Sequence, residues 1–575
     1  MNLLKIYQNK IELFLRNLEK SNEIKLPKSL QGLKIELPPK NQKGDFACNA
    51  SMILSKLNES SPIDFANYLK DKIIKSFPEI KSIDIAKPGF INITFKITFW
   101  KECLINIINL KDGYGSTDDL KKKYNIEFVS ANPTGPLHVG HCRGAILGDV
   151  LSNLLIFNGN HVTKEYYVND YGSQINHFVS SVYHRILELN TNKKFPDAKN
   201  LYPGDYIIEI AKKIIASKSI TNFDNYDAIF SSLKEHSLKL SIDMIKSNLS
   251  MLGITHDIFV NESQLIKDKM VQKTIDNLQM EKYVYEGKLD PPKGESLENW
   301  KPRKQLLFKS TLFGDDTDRA LQKEDNTWTY FAGDIGYHAS KIARKFDFLI
   351  NILGADHSGY IKRISAAVNA ISKEKTNLIC KVSQLVKLFK DGKPFKMSKR
   401  KGDYITVEDL VKEVGKDSVR FMMLNRSNDV ELDFDFKKVT EKSKDNPVFY
   451  VQYAYARINS IFRMLNMSLN SDIKVNNNDF NINSHEIDIL KKIAEWPKCI
   501  EITSTKLEPH IIPVYLYELS TLFHSYWNMG NDNKNFRFVM DNKSVSNTRL
   551  QLLQALAIVI ENGMSILGVS TPKSM

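Results

Sequence analysis

Cysteine is scarce in this chain, and its spacing excludes two kinds of small stabilised fold. Five cysteines in 575 residues lie far apart, and no two of them form a CxxC pair. The sequence therefore predicts neither a zinc knuckle nor a disulfide framework, and we expect no structural zinc. Separated free thiols are typical of a reducing cytosol, so we expect a cytoplasmic protein.

A long apolar run is also lacking, and we find none that reaches the length of a membrane span. We therefore expect no membrane partner. The first twenty residues, MNLLKIYQNKIELFLRNLEK, mix apolar residues with Lys, Arg and Glu at helical spacing. That pattern predicts an amphipathic helix rather than a signal peptide.

Acidic residues are fewer than basic ones, 67 against 80, which gives a net charge of +13. A basic excess suits a polyanionic partner such as nucleic acid. Lysine, isoleucine and asparagine are abundant throughout, however, as in VNNNDFNIN, so a general residue bias could supply the same excess. Charge alone leaves both interpretations open.

The chain is long enough for several domains, and its patterns change along its length. Residues 1–110 predict a small α+β domain, in which SIDIAKPGFINITFK forms two strands joined at Pro88-Gly89. The polar segment LKDGYGSTDDLKKK reads as a linker. NIEFVSA, VGHCRGAILGDVLSNLLIFNGN and KEYYVND then form a strand, a helix and a strand, which predicts a Rossmann-like parallel sheet.

Further along, TWTYFAGDIG and FDFLINILGAD contain short apolar runs like those of the first two strands, and they are predicted as later strands of that sheet. The polar stretch around 180–325 is predicted to be a largely helical insertion. After about 405 the chain is predicted to be all-helical, with connecting helices over 406–445 and a separate domain over 446–575. One helix there begins at Pro447, capped by Asn446, and the last helix ends at Gly563.

The stretch SANPTGPLHVGHCRGA, Ser130 to Ala145, places two histidines where a loop becomes a helix. Pro133 and Pro136 exclude a helix before about His138. His138 and His141 then share one face at the helix N-terminus, where free N–H groups favour anions. Gly140 leaves room between them for a flat ring or a phosphate.

Three interpretations of the two histidines compete. A zinc site would need further ligands, and neither HExxH nor CxxC supplies them. The rings could be ordinary structural histidines. They could also be two donors aimed at a nucleotide α-phosphate, although neither the GxxxxGK[ST] nor the GxGxxG phosphate loop is present.

A second loop, FKDGKPFKMSKRKGD, carries six positive charges between Phe389 and Asp403. A lysine-dense loop of this kind suits a leaving pyrophosphate, whose charge must be neutralised. Alone it could equally be a solvated surface loop.

Together, HVGH at 138–141 and KMSKR at 396–400 resemble the HIGH and KMSKS signatures of class I aminoacyl-tRNA synthetases. EFVSANPTGPLHVGH, YYVNDYGSQI, TYFAGDIGYH, GADHSGY, GDFACNASMILSK and the terminal MSILGVSTPKSM together resemble arginyl-tRNA synthetases. The likeness runs from the first domain to the last residue. One departure is Arg400, which stands where KMSKS has serine and leaves the phosphate contacts of the loop open.

The resemblance implies a role for particular residues. Catalysis would fall to four of them: His138, His141, Lys396 and Lys399. ATP would be bound by Pro136, Gly140, Gly354, Asp356, His357, Met397 and Ser398, with the choice between Asp356 and His357 left open. Arginine would be held by Glu127, Asn132, Tyr330 and Asp334, and carboxylates are suitable partners for its planar cation.

The resemblance also implies a reaction and its partners. Arginine, ATP with Mg²⁺ and tRNA(Arg) would be the substrates, and the protein would act as a monomer. Arginyl-adenylate would form first, typically with tRNA already present, and the terminal 2′-OH of the tRNA would then take the arginyl group. Residues 1–110 would contact the tRNA, 111–405 would catalyse, and 446–575 would bind the anticodon, with Tyr450, Tyr453 and Tyr455 as candidate stacking surfaces and Tyr455 favoured as core.

Two other functions remain possible on the residues alone. Another HxGH nucleotidyltransferase would be shorter and would lack a helical tail after the lysine loop. A tRNA-binding relative without activity would have no need of intact HVGH and KMSK.

Overall fold

The computed structural model describes residues 2–39, 41–117, 121–191, 193–289, 303–395, 405–475, 480–541 and 543–575. These residues form two compact units. One comprises 1–118 with 442–575, and the other comprises 119–441.

The N-terminal part of the first unit is a small α+β fold. Its elements are α1 Leu3–Lys20, β1 Ile35–Glu36, β2 Phe46–Cys48, α2 Ala50–Leu54, α3 Pro62–Ser76, β3 Ile80–Ala86, β4 Phe90–Phe95 and α4 Ile97–Leu110. The strands form an antiparallel sheet in the order β1-β2-β4-β3. The predicted amphipathic helix is confirmed as α1, and the two strands predicted on either side of Pro88-Gly89 are β3 and β4.

The second unit is built on a parallel sheet. Its elements are β5 Lys123–Glu127, α5 Val139–Phe157, β6 His161–Val168, α6 Ser173–Thr191, α7 Asp205–Ser217, α8 Tyr226–Met251, β7 Ile258–Asn261, α9 Glu262–Lys267, α10 Met270–Met280, β8 Val284–Gly287, β9 Gln305–Phe308, β10 Arg319–Ala320, α11 Tyr330–Ala343, β11 Phe348–Gly354, α12 Ile361–Ser372, β12 Asn377–Ser383, β13 Val386–Lys390, β14 Lys393–Pro394, α13 Val407–Val414, α14 Lys416–Met423, β15 Leu432–Asp435 and α15 Phe436–Thr440. The central sheet has the order β12-β11-β5-β6-β7, with every pair parallel. The predicted parallel-sheet α/β fold is confirmed.

One prediction within this unit is wrong, and another is incomplete. TWTYFAGDIG is not a strand, because Thr329 accepts a hydrogen bond from the Ala332 amide and starts helix α11, which buries Phe331, Ala332 and Ile335. The stretch around 180–325 is only partly helical. It contributes β7 to the central sheet, and β8, β9 and β10 form a second, antiparallel sheet. Helices α6, α7 and α8 share their own apolar cluster, which includes Phe178, Ile207 and Leu233.

The C-terminal part of the first unit is mostly helical. Its elements are α16 Pro447–Met464, α17 Ser484–Ala494, α18 Trp496–Lys506, α19 Ile511–Asp532, β16 Val539–Met540, β17 Lys543–Ser544 and α20 Asn547–Leu567. Asn446 caps α16 as predicted. The chain after 405 is nevertheless not all-helical, because β15 pairs with β13 and β16 pairs with β17.

The last helix differs from its prediction in two ways. It passes through Gly563 and ends at Leu567, before Gly568, which adopts φ +66°. A Cβ at Gly563 would lie 2.8 Å from the Leu516 side chain, so this glycine allows close packing of α20 on α19. Among the described residues, α20 is also long and apolar enough to cross a bilayer. The expectation that no run reaches that length is therefore wrong, although most of this helix is buried within the fold.

The segment predicted to be a linker is anchored in the first unit. Tyr114 is fully buried, and its hydroxyl donates to the Ile493 carbonyl at 3.1 Å. The indole N–H of Trp496 donates to the Tyr114 carbonyl at 3.0 Å. Gly115 follows at φ +106°, and a Cβ there would lie 2.4 Å from Trp496 Nε1. Only a residue without a side chain fits this contact.

We predict that Gly115→Ala destabilises the first unit by about 1–3 kcal/mol, because it combines a strained φ with an overlap against a buried indole. The free energy of unfolding, followed by tryptophan fluorescence in urea, measures the change. Gly113→Ala is the matched control, since a Cβ at Gly113 meets nothing within 4 Å. Equal stability of the two variants would contradict the packing described here.

Candidate active site

The two histidines of HVGH close the first turn of helix α5. His138 is the N-cap, and its Nδ1 accepts a hydrogen bond from the Gly140 amide at 3.1 Å. His141 reaches back in the opposite sense, and its Nδ1 accepts from the His138 amide at 3.2 Å. This is a capping box in which both side chains are imidazoles. The helix therefore begins where the sequence predicts.

The capping contacts determine where the imidazole protons sit. An Nδ1 that accepts a hydrogen bond carries no proton, so each neutral ring carries its proton on Nε2. Burial lowers the pKa of His138, and burial together with the neighbouring His138 lowers the pKa of His141 to about 4. Both rings are thus neutral near pH 7, and each has one Nε2–H donor.

Gly140 does more than leave room for a ligand between the two histidines. A Cβ at this position would lie 2.9 Å from His138 Cε1. The space is occupied by the folded-back His138 ring, which also lies 3.9 Å, centroid to centroid, from the ring of His141. The glycine is therefore required by the capping geometry itself.

The chain that follows the lysine-rich loop is hydrogen-bonded to the histidine turn. The Val139 amide donates to the Ile405 carbonyl at 2.9 Å, and the Val407 amide donates to the Leu137 carbonyl at 2.9 Å. Thr406 then caps helix α13. Lys396, Met397, Ser398 and Lys399 themselves lie outside the described residues. The contact with the histidine turn is made by residues 405–407, just after the lysine-rich loop.

A cavity of about 630 Å³ lies beside the histidines. One wall consists of residues from the motif itself: Ala131, Asn132, Thr134, Gly135, Pro136, His138 and His141. The other wall consists of Thr406, Asp409 and the segment Tyr202–Tyr206, which the sequence analysis did not single out. The Tyr206 hydroxyl donates to the Thr134 carbonyl at 2.9 Å and so holds the proline-rich turn.

The loop between β5 and the cavity is held in an unusual conformation. Val129 and Ser130 have φ values of +71° and +41°, which cost about 1–3 kcal/mol each. Ser130 is held by two hydrogen bonds, one to Glu127 Oε1 at 3.0 Å and one from the Tyr167 amide at 3.1 Å. Strain that is maintained in this way is typical of functional sites.

Glu127, predicted to hold arginine, is already ion-paired. Its Oε2 lies 2.5 Å from Nζ of Lys341, a fully buried lysine that also donates to Asn351 Oδ1 at 3.1 Å. Asn132 lines the cavity, and its amide donates to Gln174 Oε1 at 2.7 Å. Lys341 was missed by the sequence analysis, because its partner lies 214 positions away.

Acidic side chains gather around Asp334. Burial raises the pKa of Asp334 to about 7, with a further contribution from Glu127. Burial, together with the charges of Asp334 and Asp170, raises the pKa of Glu262 to about 7 as well. Tyr360 donates its hydroxyl to Asp334 Oδ2. Carboxyl groups that share one site in this way are poised to bind a cation.

Glu262 and Asp170 were not predicted, although Asp170 lies within the quoted YYVNDYG. Asp170 accepts from the Ser263 amide at 2.8 Å and from Asn261 Nδ2 at 2.8 Å, which joins the ends of β6 and β7. The contact spans more than ninety residues. A local pattern carries no signal for such a pair.

The remaining predicted residues are less closely gathered. Tyr330 is 75 % exposed and lies near Lys323, whose Nζ is 5.4 Å from the ring centroid. It is one helical turn from Asp334, but the hydroxyl that reaches Asp334 belongs to Tyr360. Gly354 ends β11, and Asp356 and His357 follow it on an exposed 3₁₀ turn. These three are not among the residues that line the described cavity.

Comparison with known families agrees with this geometry. A profile described as "tRNA synthetases class I (R), catalytic domain" matches residues 104–462. An "Arginyl tRNA synthetase N terminal domain" matches residues 6–95, and a "DALR anticodon binding domain" matches residues 451–575.

Individual relatives agree over the full length. The chain is 57% identical to the arginine–tRNA ligase of Pelagibacter ubique over 577 residues, which covers 100% of both chains. It is 43% identical to that of Bartonella bacilliformis over 588 residues, again covering 100% of both. The solved arginyl-tRNA synthetase of Thermus thermophilus has the same fold, with a TM-score of 0.68 at 16% identity, covering 99% of this chain and 100% of that one. The chain therefore belongs to the arginyl-tRNA synthetases, the class I enzymes that use ATP to join arginine to its tRNA.

Proposed function

We propose that the cavity beside HVGH receives ATP and that His138 and His141 donate to the α-phosphate as arginine attacks it. The observation that carries this proposal is the capping box, which leaves each ring neutral with its proton on Nε2. Two such donors suit the charge that develops on the phosphate oxygens in the transition state. The dipole of α5, whose N-terminus lies at the same turn, adds to this field, although the amides of Val139, Gly140 and His141 are already hydrogen-bonded within the protein.

In the first step an oxygen of the arginine carboxylate forms a bond to the α-phosphorus. The bond from that phosphorus to the bridging oxygen breaks, and pyrophosphate leaves. Lys396 and Lys399 balance its charge, with Mg²⁺ entering as part of the nucleotide substrate and held by its phosphates. Among the described residues, no three His, Cys, Asp or Glu side chains lie close enough to hold a metal ion. Catalysis then rests on position and charge rather than on a protein nucleophile.

In the second step the terminal 2′-OH of the tRNA attacks the arginyl carbonyl carbon, and AMP leaves. Pro136 lines the cavity, and it would adjoin the nucleotide together with Gly140 and with Met397 and Ser398 of the lysine-rich loop. Gly354, Asp356 and His357 would meet the adenosine or the amino acid from the end of β11.

The acidic group around Asp334 is proposed to bind the guanidinium of arginine. Asp334 and Glu262 supply the charge, while Asp170 and Glu127 strengthen the negative field. A planar guanidinium can donate hydrogen bonds to two carboxylates at once, which a flexible ammonium does less well. Asn132 and Tyr330 would complete the site, and the exposed position of Tyr330 means that its ring would have to turn toward the ligand.

A surface on α16 and α19 is proposed to bind the anticodon side of the tRNA. The guanidinium of Arg457 lies 4.2 Å from the ring of Tyr453 and 4.9 Å from that of Trp527. It also donates to His524 Nδ1 at 2.9 Å. Aromatic rings held by a cation are good stacking platforms for bases. Tyr450 lies beside this group, whereas Tyr455 is only 3% exposed and belongs to the core, as expected.

We further propose that the enzyme acts as a monomer in the cytoplasm and that residues 1–110 contact the tRNA. Its five free cysteines support a reducing compartment.

We predict that His141→Ala and His141→Asn both slow arginine-dependent pyrophosphate exchange by about 10²–10³-fold, because each removes the Nε2–H donor. The two differ in stability. Asn retains an oxygen that can accept from the His138 amide, whereas Ala loses the cap and about 1 kcal/mol. Exchange is measured with ATP, tRNA and each of the twenty amino acids in turn, and tRNA affinity should stay near wild type. Near-normal exchange in His141→Asn would remove this ring from catalysis.

We predict that the KM for arginine falls as the pH rises from 6 to 8. The pKa values of Asp334 and Glu262 are raised to about 7, so both carboxyls are partly protonated at pH 6 and must ionise to bind the cation. Release of one proton on binding gives a change of up to about tenfold per pH unit below the pKa. Initial rates of aminoacylation measure this dependence.

Glu262→Gln is the comparison for the pH series. It removes one of the two titrating carboxyls, so its KM should depend less steeply on pH while being higher throughout. A KM for arginine that does not change with pH in the wild type would contradict the assigned site.

We predict that Arg457→Met weakens tRNA binding by about three- to tenfold. We also expect the slope of log K for tRNA binding against log salt concentration to become shallower by about one. Filter binding across a range of salt concentrations measures both quantities. Arg463→Met is the control, because Arg463 is on the same helix but donates to the Lys573 carbonyl. An equal loss in both variants would indicate a general charge effect and not a stacking platform.

A further inference from the structure

Arg143 follows the second histidine by two residues in HVGHCRG, and the reaction described above does not use it. Its side chain is 1 % exposed. NH1 donates to the carbonyls of Val430 at 2.6 Å and Gln384 at 3.2 Å. NH2 donates to the carbonyls of Ser427 at 2.7 Å and Arg426 at 3.4 Å. All four acceptors are main-chain oxygens, which is an uncommon environment for a buried cation.

One of the four carbonyls, that of Gln384, lies before the strand that leads into the lysine-rich loop, and the other three lie before β15, which pairs with that strand. Gln384 lies just before β13, the strand that leads through β14 to the loop. Val430 lies just before β15, which pairs in parallel with β13 from Val386 to Phe389. The guanidinium therefore fastens helix α5 to the base of this strand pair.

A second attachment joins the same helix to the other end of the loop. The amides of Val139 and Val407 donate across to the chain at Ile405 and Leu137. The loop thus leaves from a base held by Arg143 and returns to a point held by the first turn of α5. Both anchors lie on the helix that carries His138 and His141.

We propose that Arg143 is a positioning residue, which fastens α5 to the chain before β13 and β15 and so sets the point from which the lysine-rich loop departs relative to His138 and His141. This inference rests on the proposed role of that loop in neutralising pyrophosphate. A guanidinium suits the task because its planar fork can reach four acceptors in fixed directions, whereas a lysine ammonium cannot. Arg143 touches none of the reacting atoms and acts through the backbone that it holds.

Arg420 provides a matched control within the same unit. It is also fully buried and also binds α5, but through Asp149 at 2.6 Å and with the Leu252 carbonyl at 2.8 Å. Arg420 lies on α14, so its guanidinium fastens α14 to α5, whereas that of Arg143 fastens α5 to the chain before β13 and β15. Arg143→Lys and Arg420→Lys each remove one buried guanidinium at α5, and we expect only Arg143→Lys to loosen the base of the loop.

The substitution is expected to impair the use of ATP and not the binding of arginine. Arg143→Lys should lower kcat for pyrophosphate exchange and raise the KM for ATP, each by about tenfold, with the KM for arginine within about twofold of wild type. Arg420→Lys should leave all three within about twofold. Thermal unfolding midpoints are measured for both, so that a shared loss of stability is separated from the kinetic effect.

Hydrogen exchange tests the attachment without relying on activity. Peptides that cover 384–390 and 426–435, the segments that Arg143 holds, should exchange faster in Arg143→Lys than in wild type and Arg420→Lys. Unchanged exchange and unchanged ATP kinetics in Arg143→Lys would overturn the proposal, as would equal changes in both variants. Faster exchange with normal ATP kinetics would also overturn it, because the loop would then be loosened without consequence for the reaction.

The proposed role of the loop is tested separately, by Lys399→Met in the wild-type background. Normal pyrophosphate exchange in Lys399→Met would argue against the proposed role of the loop in neutralising pyrophosphate. It would not affect the hydrogen-exchange comparison of Arg143→Lys and Arg420→Lys.

Discussion

Two hydrogen bonds at the first turn of α5 connect helix formation to catalysis. The amides of His138 and Gly140 each need an acceptor, and each finds an imidazole Nδ1. A ring that accepts at Nδ1 must carry its proton at Nε2, and a protonated ring could not accept at all. The depressed pKa values of His138 and His141 follow from the same enclosed geometry. The structure thus prepares neutral donors before any substrate arrives, which is the condition for electrostatic stabilisation without reorganisation.

Charge elsewhere in the catalytic unit suits the ligand that is proposed to bind there. Around Asp334 the carboxyls outnumber their partners, and burial keeps Asp334 and Glu262 partly protonated. An arriving guanidinium would favour their ionised forms. At Asp149, by contrast, Arg420 and Lys164 already supply two cations, so this carboxylate is paired and structural. The difference separates a pocket that awaits a cation from an ion pair that stabilises the fold.

Features that depend on neighbouring residues were predictable, and features that depend on distant ones were not. Prolines and a capping side chain determine the start of α5 within a few residues, so the sequence located it. Helix α11 was mistaken for a strand because its aromatic residues mimic strand composition, while the signal for its start is a single side chain, the Thr329 hydroxyl that accepts from the Ala332 amide. The four-residue strand β7 has too short a pattern to detect. Glu262 and Lys341 enter the site only because the sheet brings together the ends of strands far apart in sequence.

Arg143 shows why a motif and a contact carry different information. The histidines of HVGHCRG can be interpreted from local geometry, because both act on the helix in which they stand. The arginine acts on carbonyls between 241 and 287 positions away, and nothing in its neighbourhood indicates them. Its partners also explain why a substitution there would be costly in a particular way. Removing the guanidinium leaves four carbonyls with one donor fewer each, and these lie just before β13 and β15, the strand pair that leads to the lysine-rich loop. A buried residue that binds only main chain thereby fixes the geometry of two segments at once, whereas one paired with a carboxylate, such as Arg420, mainly fixes its partner.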